Sequence, residues 1–583
     1  MNVLPDDPSE AIHRKCRLGG LLVGQKNFDA ALPLLEEVIA QDRTNLEAYL
    51  HLITIFIAKE WFVVARIVMR LLQHFDPQKT AIDHDVFDLD RVRDTFFLDP
   101  QKGRQVASQR KRVQQTRVVD APQLCYHFGP KQQGDSDTVI AVEQGKETAP
   151  FFLFTRLRLP TFIDFDPDAI AQVNQAFQIG HLLEHVIGMR RSALRQALLA
   201  IKQQTPGNAA NGPLRVFLSA SRLTTVMAHC SRDLARTFQK KGCEVLFIME
   251  ENDREDLSGF HVYRAQASWN PHVTVNINHA NHLWLNDHVR NIVWWQDDLM
   301  EELQKGVALP WRNHDLVLSI DGFLDRHVCK TGPKAIIRQN FCVDLDLFFP
   351  VIPPHERKKI IFVGSSYVKD RPSRESGIPY QILNLLEQWI VDGEKFDLSL
   401  MERVASQWQV SSKLVYSIMQ FVIREHTVMW LCSLAGSLDY DVEIYGYGWE
   451  NNRVVSPFFK GAAPHGPGLC AIYNQARYAL AASIFLVHTQ RLVEMAACGC
   501  IPVVFDQRSA DEPQTWDDEC LFFSSQETLR HCLTQTPQGD PMRIAQANSY
   551  DRAVEKILHW VRTGVYPDKP VYGSPADGAL QNT

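Results

Sequence analysis

The first eighty residues carry large apolar side chains at helical spacing, and the same pattern returns after 34 positions. Ala31 and Ala65 occupy equivalent places in the two copies, where two helices must cross closely. This period and spacing predict two helix-turn-helix units. The other positions that align at this offset are Leu18 with Leu52, Leu22 with Phe56, Phe28 with Phe62, Leu35 with Met69, Val38 with Leu72 and Asp42 with Asp76.

Short buried strands that alternate with helices begin at residue 214. The apolar run 214–218 is followed by a small polar loop, a helix that ends at Gly242, and a second strand at 244–248. This alternation predicts a parallel, doubly wound α/β domain. Its further strands are predicted at 273–277, 292–295, 316–320 and 335–337.

The same alternation starts again after Pro350, with a strand at 359–363 and a long helical insertion at about 380–437. Further strands are predicted at 442–445, 484–487 and 501–505. The fold class expected is therefore α/β, with two Rossmann-like domains in tandem and a cleft between them.

Pattern and composition together divide the chain into five segments. The segment 81–212 mixes strand-like runs at 138–142 and 151–154 with a helical stretch at 168–203, and its sequence gives no functional interpretation. The five predicted segments are helical repeats at 1–80, the mixed region at 81–212, the first Rossmann-like domain at 213–350, the second at 351–566, and a flexible tail at 567–583.

Composition excludes several classes of protein. The 583 residues carry a formal charge of −7, which gives no electrostatic reason to bind nucleic acid. No apolar run approaches the roughly 18 residues that cross a bilayer, and the first residues lack the basic and apolar regions of a secretion signal. The 12 cysteines include no C-x-x-C pair. The chain is therefore expected to be cytoplasmic, with free and buried thiols.

Common nucleotide-binding and hydrolase motifs are missing from both α/β domains. Neither domain contains G-x-G-x-x-G, and the closest run, 446–449, continues with Glu450 and Asn451 in place of a third glycine and a helix. P-loop and nucleophile-elbow motifs are also absent. These absences argue against a dehydrogenase, a P-loop enzyme and an α/β-hydrolase.

A small loop follows the first strand of the second domain. Gly364, Ser365 and Ser366 can offer backbone N–H groups to a phosphate, and Lys369 and Arg371 just beyond can neutralise its charge. By itself such a loop is equally an ordinary turn.

A short predicted helix precedes the last strand of the second domain. It carries Arg491 and Glu494 and ends at Gly499. The Glu494 carboxylate can then face the cleft and accept hydrogen bonds from a ribose diol. The alternative is that the two residues form an ordinary surface ion pair three positions apart.

Taken together, the motifs of the second half resemble the carboxyl-terminal half of GT-B-fold glycosyltransferases, in particular the bacterial group that includes the spore-maturation protein CgeB. The resemblance covers roughly residues 290–560. The residues that carry it are 362–365, 445–449, 460–461, 473–474 and 491–499.

The resemblance implies a nucleotide-sugar donor held by the second domain, with the acceptor presented by the first. Glu494 would bind the ribose, and the Gly364 loop with a nearby cation would bind the diphosphate. It implies no catalytic metal and no cofactor beyond the nucleotide-sugar co-substrate. Many retaining relatives have a second glutamate where this chain has Leu486, so retention of stereochemistry is left open. The further donor-binding residues implied are Gly446, Tyr447, Gly448, Trp449, Lys460 and Arg491.

Catalytic candidates lie at the edge of the predicted cleft. Asp297 or Asp298 ends a strand of the first domain, where relatives carry a similar W-x-x-D run, and either can act as a general base for an acceptor hydroxyl. An aspartate there can instead cap the next helix. His465 belongs to a glycine- and proline-rich loop that can close on the donor or be a surface turn. No metal site is predicted, because the histidines at 279, 282 and 288 lack a supporting Cys or Glu pattern.

The N-terminal repeats resemble the tetratricopeptide repeat over roughly residues 9–78. Arg43 stands where the second copy has Pro77, and Ile53 stands where the first has Gly19, so a plain helical bundle is the alternative. Helical-repeat surfaces typically bind polypeptide, so the expected partner is a protein acceptor, such as a flagellin or another surface protein. Homodimerisation through the repeats is the other interpretation. For the whole chain, the alternatives to glycosyl transfer are a non-catalytic scaffold with a degenerate transferase domain and a nucleotide-sugar epimerase.

Overall fold

A computed structural model describes most of the chain outside residues 77–165. Two compact units are present, one with residues 1–207, 219–228 and 247–271, the other with residues 208–218, 229–246 and 272–583. The residues that the structure describes are 8–59, 61–76, 125–128, 139–142, 162–164, 166–204, 212–222, 224–251, 255, 259–280, 285–297, 306, 308–483, 489–508 and 516–572.

Four consecutive helices form the start of the first unit. Each helix packs on the next, and the first also contacts the third. Ala31 and Ala65 are fully buried, as expected at close helix crossings. The helix-turn-helix pattern is therefore present in the structure. The helices are α1 (Pro8–Gly24), α2 (Phe28–Gln41), α3 (Leu46–Ala58) and α4 (Phe62–Phe75).

A long helix, α5 (Ile170–Gln203), completes the core of these helices. Val173 and Leu183 of α5 belong to the same apolar cluster as the helices before it. A Cβ atom on Gly180 would lie 2.8 Å from Ile67, so glycine allows α5 to approach α4 closely. The predicted boundary at residue 80 therefore does not bound the helical core, because α5 supplies part of its apolar surface. A further helix, α7 (Gly259–Trp269), packs on α5.

Three short strands lie between α4 and α5. They are β1 (Cys125–Phe128), β2 (Val139–Val142) and β3 (Phe162–Asp164), and they form a parallel sheet in the order β2-β1-β3. The strand predicted at 138–142 is confirmed by β2, whereas the one predicted at 151–154 lies outside the described residues.

The first large sheet confirms the strand pattern predicted from residue 214. Its order is β5-β4-β6-β7-β8-β9-β15, where β15 is Pro570–Tyr572, and the pairings among β4, β6, β7, β8 and β9 are parallel. The elements are β4 (Arg215–Ser219), α6 (Thr225–Lys240), β5 (Glu244–Ile248), β6 (Val273–Ile277), β7 (Arg290–Trp295), β8 (Asp315–Ser319), α8 (Gly322–Val328) and β9 (Ile336–Arg338).

The second sheet has five parallel strands in the order β11-β10-β12-β13-β14. The strand order reverses at β10, which is the switch point where open α/β sheets bind ligands. The predicted helical insertion is resolved into α9 (Ile378–Asp392), α10 (Leu398–Trp408) and α11 (Ser412–Leu434). The strands are β10 (Lys359–Val363), β11 (Asp441–Tyr445), β12 (Ala476–Ala481), β13 (Ile501–Phe505) and β14 (Leu521–Phe523).

The strand β12 was not predicted from the sequence, and the strand predicted at 484–487 lies outside the described residues. Pairing places β12 inside the sheet, because Leu480 aligns with both Phe362 of β10 and Val503 of β13. The remaining helices are α12 (Pro467–Asn474), α13 (Gln490–Ala497), α14 (Gln526–Cys532), α15 (Met542–Ala547) and α16 (Tyr550–Thr563).

The end of the chain returns to the first large sheet. Strand β15 (Pro570–Tyr572) pairs antiparallel with β9, and the guanidinium of Arg290 in β7 lies 5.2 Å from the ring of Trp560 in α16. The predicted flexible tail at 567–583 is therefore ordered at 570–572. The physical reason is that α16 buries an apolar face that includes Val554 and Ile557, and β15 gains the hydrogen bonds of a sheet edge.

Candidate functional site

Two loops interlock at the carboxyl ends of β10 and β11. The N–H of Gly364 donates to the carbonyl of Tyr445 at 2.9 Å, and the N–H of Ser366 donates to the carbonyl of Tyr447 at 2.9 Å. Ser366 is buried. Two of the three N–H groups that the sequence offered to a phosphate are therefore used within the protein, and the loop provides shape and carbonyl groups at the switch point.

Glycine is required where the second loop crosses the first. Gly446 has φ 138°, and a Cβ atom there would lie 2.1 Å from the carbonyl oxygen of Gly364. Gly448 has φ 84°, and its Cβ would lie 2.3 Å from Oγ of Ser366. No side chain fits at either distance, so these glycines build the loop pair.

The aromatic residues of the second loop face opposite ways. Trp449 is fully buried, and its indole N–H donates to the carbonyl of Gly364 at 2.7 Å. Tyr447 is 72% exposed. Trp449 therefore holds the loops together from the core, whereas the ring of Tyr447 is open to solvent.

Arg424 of α11 is a buried cation that the sequence analysis missed. It donates from Nε to the carbonyl of Ala482 at 3.1 Å and from Nη1 to the carbonyl of Ser365 at 3.1 Å. Its guanidinium lies 4.2 Å from the ring of Tyr367. The side chain thus joins the loops that follow β10 and β12, one on each side of the switch point.

The charge of Arg424 is poorly balanced. Among the described residues, no carboxylate forms an ion pair with it, and burial lowers its pKa below the ordinary value, as does the positive charge of Arg491. A buried cation of this kind favours an anionic ligand. The available signal was an arginine directly after the apolar run Phe421-Val-Ile of α11, outside every motif that carried the resemblance.

Glu494 lies in α13, which begins with a hydrogen bond from the N–H of Leu492 to Oγ1 of Thr489 at 3.1 Å. Glu494 is 6% exposed. Its Oε2 accepts from Nη1 of Arg491 at 2.8 Å, and its Oε1 accepts from Nε2 of Gln490 at 3.2 Å. The ion pair with Arg491 does form, but its carboxylate is buried, so it is not an ordinary surface pair.

The remaining cations of the predicted donor site are less enclosed. Arg371 lies 3.6 Å from Glu387 and 5.6 Å from the ring of Phe421, so its charge is already partly balanced. Lys369 and Lys460 are exposed, and neither forms an ion pair with another described residue.

His465 stacks on His229 of α6, with ring centroids 4.6 Å apart and planes 28° from parallel. Burial and the neighbouring positive charge of His465 lower the pKa of His229 to about 4. Burial and the charge of Arg491 also lower the pKa of His465. Both imidazoles are therefore neutral at neutral pH, and each ring then has one N–H donor and one nitrogen acceptor.

Asp297 follows β7 at the carboxyl end of the first large sheet. Asn278, which follows the adjacent strand β6, donates from Nδ2 to Oδ2 of Asp297 at 2.6 Å and accepts on Oδ1 from the N–H of Gln296 at 2.7 Å. Asn278 is 2% exposed and has φ 58°. The carboxylate is therefore held by a rigid neighbour at the ligand-binding edge. Asp298 lies outside the described residues.

No group of three or more His, Cys, Asp or Glu side chains in the described residues could hold a metal ion, and His282 of the sequence cluster lies outside them. None of the described helices is both long enough and apolar enough to cross a membrane.

Part of the second α/β domain matches a known family. A model described as glycosyl transferase-like matches residues 424–560, a segment that begins at Arg424 and includes Glu494. Residues 424–560, which lie in the second α/β domain, are therefore similar to glycosyltransferase domains. A comparison with curated protein sequences finds no significant match.

Solved structures that align with this chain include several glycosyltransferases. AviGT4, a glycosyltransferase involved in avilamycin A biosynthesis, is 11% identical, covers 60% of this chain and 97% of its own, and has a TM-score of 0.37. The sucrose-phosphate synthase of Thermosynechococcus elongatus is 11% identical, with coverage of 60% and 100% and a TM-score of 0.38. A mutant of the O-GlcNAc transferase of Thermobaculum terrenum is 11% identical, with coverage of 96% and 98% and a TM-score of 0.31. At these scores the similarity decides nothing about substrates.

Proposed function

We propose that the chain transfers a sugar from a nucleotide-sugar donor to an acceptor hydroxyl, with the donor held at the switch point of the second sheet. The observation that carries the proposal is the buried guanidinium of Arg424, which has no carboxylate partner among the described residues and joins the loops that follow β10 and β12. A diphosphate supplies the missing negative charge. The family match over 424–560 supports the same chemistry.

The donor is recognised at its diphosphate and at its ribose. Arg424 and Arg491 bind the diphosphate, and the exposed Lys369 and Lys460 add positive charge at the rim. Each carboxylate oxygen of Glu494 has one protein donor, which leaves each oxygen able to accept one more hydrogen bond. Two acceptors on one carboxylate match the two hydroxyls of a ribose.

In the chemical step, a bond from the anomeric carbon to the acceptor replaces its bond to the diphosphate. The acceptor oxygen forms a bond to that carbon, the bond to the diphosphate oxygen breaks, and its electron pair leaves with the nucleoside diphosphate. Asp297 takes the proton of the acceptor hydroxyl. The cations at the switch point stabilise the departing charge, so the proposed reaction needs no catalytic metal. His465 is proposed to close on the donor through its loop.

The proposal is tested by measuring hydrolysis of UDP-, GDP-, dTDP- and CMP-sugars by the full chain, with and without EDTA. We expect turnover of one nucleotide class at an unchanged rate in EDTA, because the arginines replace the metal. Loss of turnover in EDTA that Mg²⁺ or Mn²⁺ restores would contradict metal independence. If the chain binds nucleotide but neither hydrolyses nor transfers the sugar, the non-catalytic scaffold is favoured. If it isomerises the donor in the absence of an acceptor, a nucleotide-sugar epimerase is favoured.

Glu494→Ala is expected to weaken binding of the preferred nucleoside diphosphate by roughly 10- to 150-fold, because about 1.5 to 3 kcal/mol of hydrogen bonding to the ribose is lost. Calorimetric titration measures this change. Glu443→Ala is the control, since Glu443 is a part-buried carboxylate in β11 that pairs with Lys359 at 2.8 Å. Wild-type affinity in the Glu494 variant, with its melting temperature retained, would remove Glu494 from the donor site.

We further propose that the helices α1–α5 of the first unit recruit a protein acceptor, such as a flagellin or another surface protein. This acceptor would be modified in the cytoplasm before export. A cavity of about 460 Å³ lies in this unit beside Trp61 and His181, with Glu184, His185 and Met189 around it. Aromatic walls and a carboxylate suit an extended polypeptide segment. Binding there raises the concentration of the acceptor near the donor site.

Gly188→Arg is expected to abolish transfer to protein while donor hydrolysis continues at the wild-type rate. Gly188 lines the cavity, and a Cβ atom there meets nothing within 4 Å, so the change fills the cavity without a clash. Replacing a helical glycine also favours the helix, by up to about 1 kcal/mol. The readouts are labelled sugar on proteins of a lysate from the producing organism, and molecular mass by light scattering.

Ala200→Arg, at an exposed position of the same helix, is the matched control. Transfer to protein at the full rate in the Gly188 variant would refute recruitment through this cavity. A fall in mass by half in that variant alone would instead assign the surface to a homodimer.

A further inference from the structure

Gln490 is the first residue of α13, and its amide has three partners. Nε2 donates to Oε1 of Glu494 at 3.2 Å and to the carbonyl of Cys342 at 3.0 Å, while Oε1 faces the thiol of Cys230 at 4.0 Å. The orientation of the amide is therefore fixed. Turning it over would place Oε1 against two acceptors, and both hydrogen bonds would be lost.

This amide controls the plane of the Glu494 carboxylate. Arg491 holds Oε2 and Gln490 holds Oε1, so each oxygen is restrained by its own donor. With Arg491 alone, the carboxylate can rotate about its last bond, because that torsion is broad. Two restraints set the direction in which the remaining lone pairs point.

The partners of Gln490 outside α13 are buried. Cys342 is fully buried and Cys230 is 1% exposed. The next residue, Val343, accepts from the N–H of Tyr550 at 3.1 Å and forms a parallel bridge with Ser549. Gln490 therefore ties the Glu494 carboxylate to the segment that leaves the first large sheet after β9.

We infer that Gln490 is a positioning residue for ribose recognition. Its amide orients both oxygens of Glu494 toward a vicinal diol, and its hydrogen bond to the Cys342 carbonyl fixes that orientation. The inference rests on the proposed donor site. Gln490 does not touch the nucleotide. Its effect is confined to the preference for a ribose with both hydroxyls over one without them.

The test compares UDP and GDP with their 2′,3′-dideoxy counterparts by calorimetric titration of the full chain. We expect the wild type to prefer the ribose form, and Gln490→Leu to reduce that preference by roughly tenfold, the loss of about one well-placed hydrogen bond to a charged group. Affinity for the dideoxy form stays at the wild-type value. Gln388→Leu is the matched control, because Gln388 also donates to a carboxylate four residues on, Asp392 at 2.9 Å, on the exposed face of α9.

Gln490→Glu keeps the shape of the side chain and provides a second measurement. Two carboxylates then face each other with no donor on residue 490, so we expect the ribose preference to fall as it does in Gln490→Leu.

The outcomes separate the inference from the proposal beneath it. A full ribose preference in both Gln490 variants, even with a lower melting temperature, would show a structural role only and overturn the inference. A wild type that binds neither nucleotide would overturn the donor site and the inference together. Loss of the preference in Glu494→Ala but not in the Gln490 variants would retain the donor site and reject Gln490.

Discussion

Asp297→Asn is expected to lower donor turnover by about 10²- to 10⁴-fold, the usual contribution of a general base, while the affinity for nucleoside diphosphate stays at the wild-type level. The substitution removes the basic oxygen and keeps the shape. Asn278 can still donate from Nδ2 to the new amide oxygen, so the loop after β7 retains its contact. The effect should therefore appear in kcat and not in binding.

Initial rates of donor hydrolysis and nucleotide titration measure the two quantities separately. Asp287→Asn is the control, since Asp287 is an exposed aspartate that precedes β7, at the opposite end of the same strand. Asp298→Asn tests the neighbouring candidate. Wild-type turnover in the Asp297 variant would assign the base to another residue and leave Asp297 as a partner of Asn278.

Arg424→Met is expected to weaken nucleoside diphosphate binding by about 2 to 5 kcal/mol, or roughly 30- to 5,000-fold, because one member of a buried, hydrogen-bonded charge pair is removed. The methionine fills most of the space but cannot donate to the carbonyls of Ser365 and Ala482. Some loss of thermal stability accompanies the change. The affinity for the corresponding nucleoside, which has no phosphate, should be unaffected.

Two further variants keep this prediction specific. Arg424→Lys retains the charge without the fork of donors, and we expect its affinity to be intermediate. Arg403→Met is the control, because the guanidinium of Arg403 also lies over an aromatic ring, Trp389 at 5.5 Å, on the exposed surface of α10. Equal weakening of the nucleoside and the diphosphate in Arg424→Met would mean that the loop had collapsed, and the assignment to the phosphates would fail.

The loops that follow β10 and β11 show what the motifs could not predict. Gly446 and Gly448 were expected to bind the donor, and the structure shows that their small size first serves the crossing over Gly364 and Ser366. Backbone N–H groups that look available in a sequence are used by the neighbouring strand. Hydrogen bonding between two loops eighty residues apart leaves no local pattern.

Domain boundaries show the same limit. Residues 1–80 have a clear repeat, yet α5, nearly a hundred residues later, completes their core, and Gly180 is the position of closest approach. At the other end, α16 and β15 pack on the first large sheet although the sequence places them after the second. The sequence of an amphipathic helix shows which face is apolar, but not which surface of the protein covers that face.

The sequence by itself determined the alternation of strands and helices, the helix that carries Arg491 and Glu494, and the likeness to glycosyltransferases, because apolar period, caps and short motifs are local properties of the chain. Only the tertiary structure decided which charges are buried at the switch point. Arg424 is placed there by α11, a helix of the insertion, and Gln490 donates to the carbonyl of Cys342, which is 148 positions away in the sequence. The strength of a charge or hydrogen bond depends on what surrounds it, and those surroundings come from distant parts of the chain.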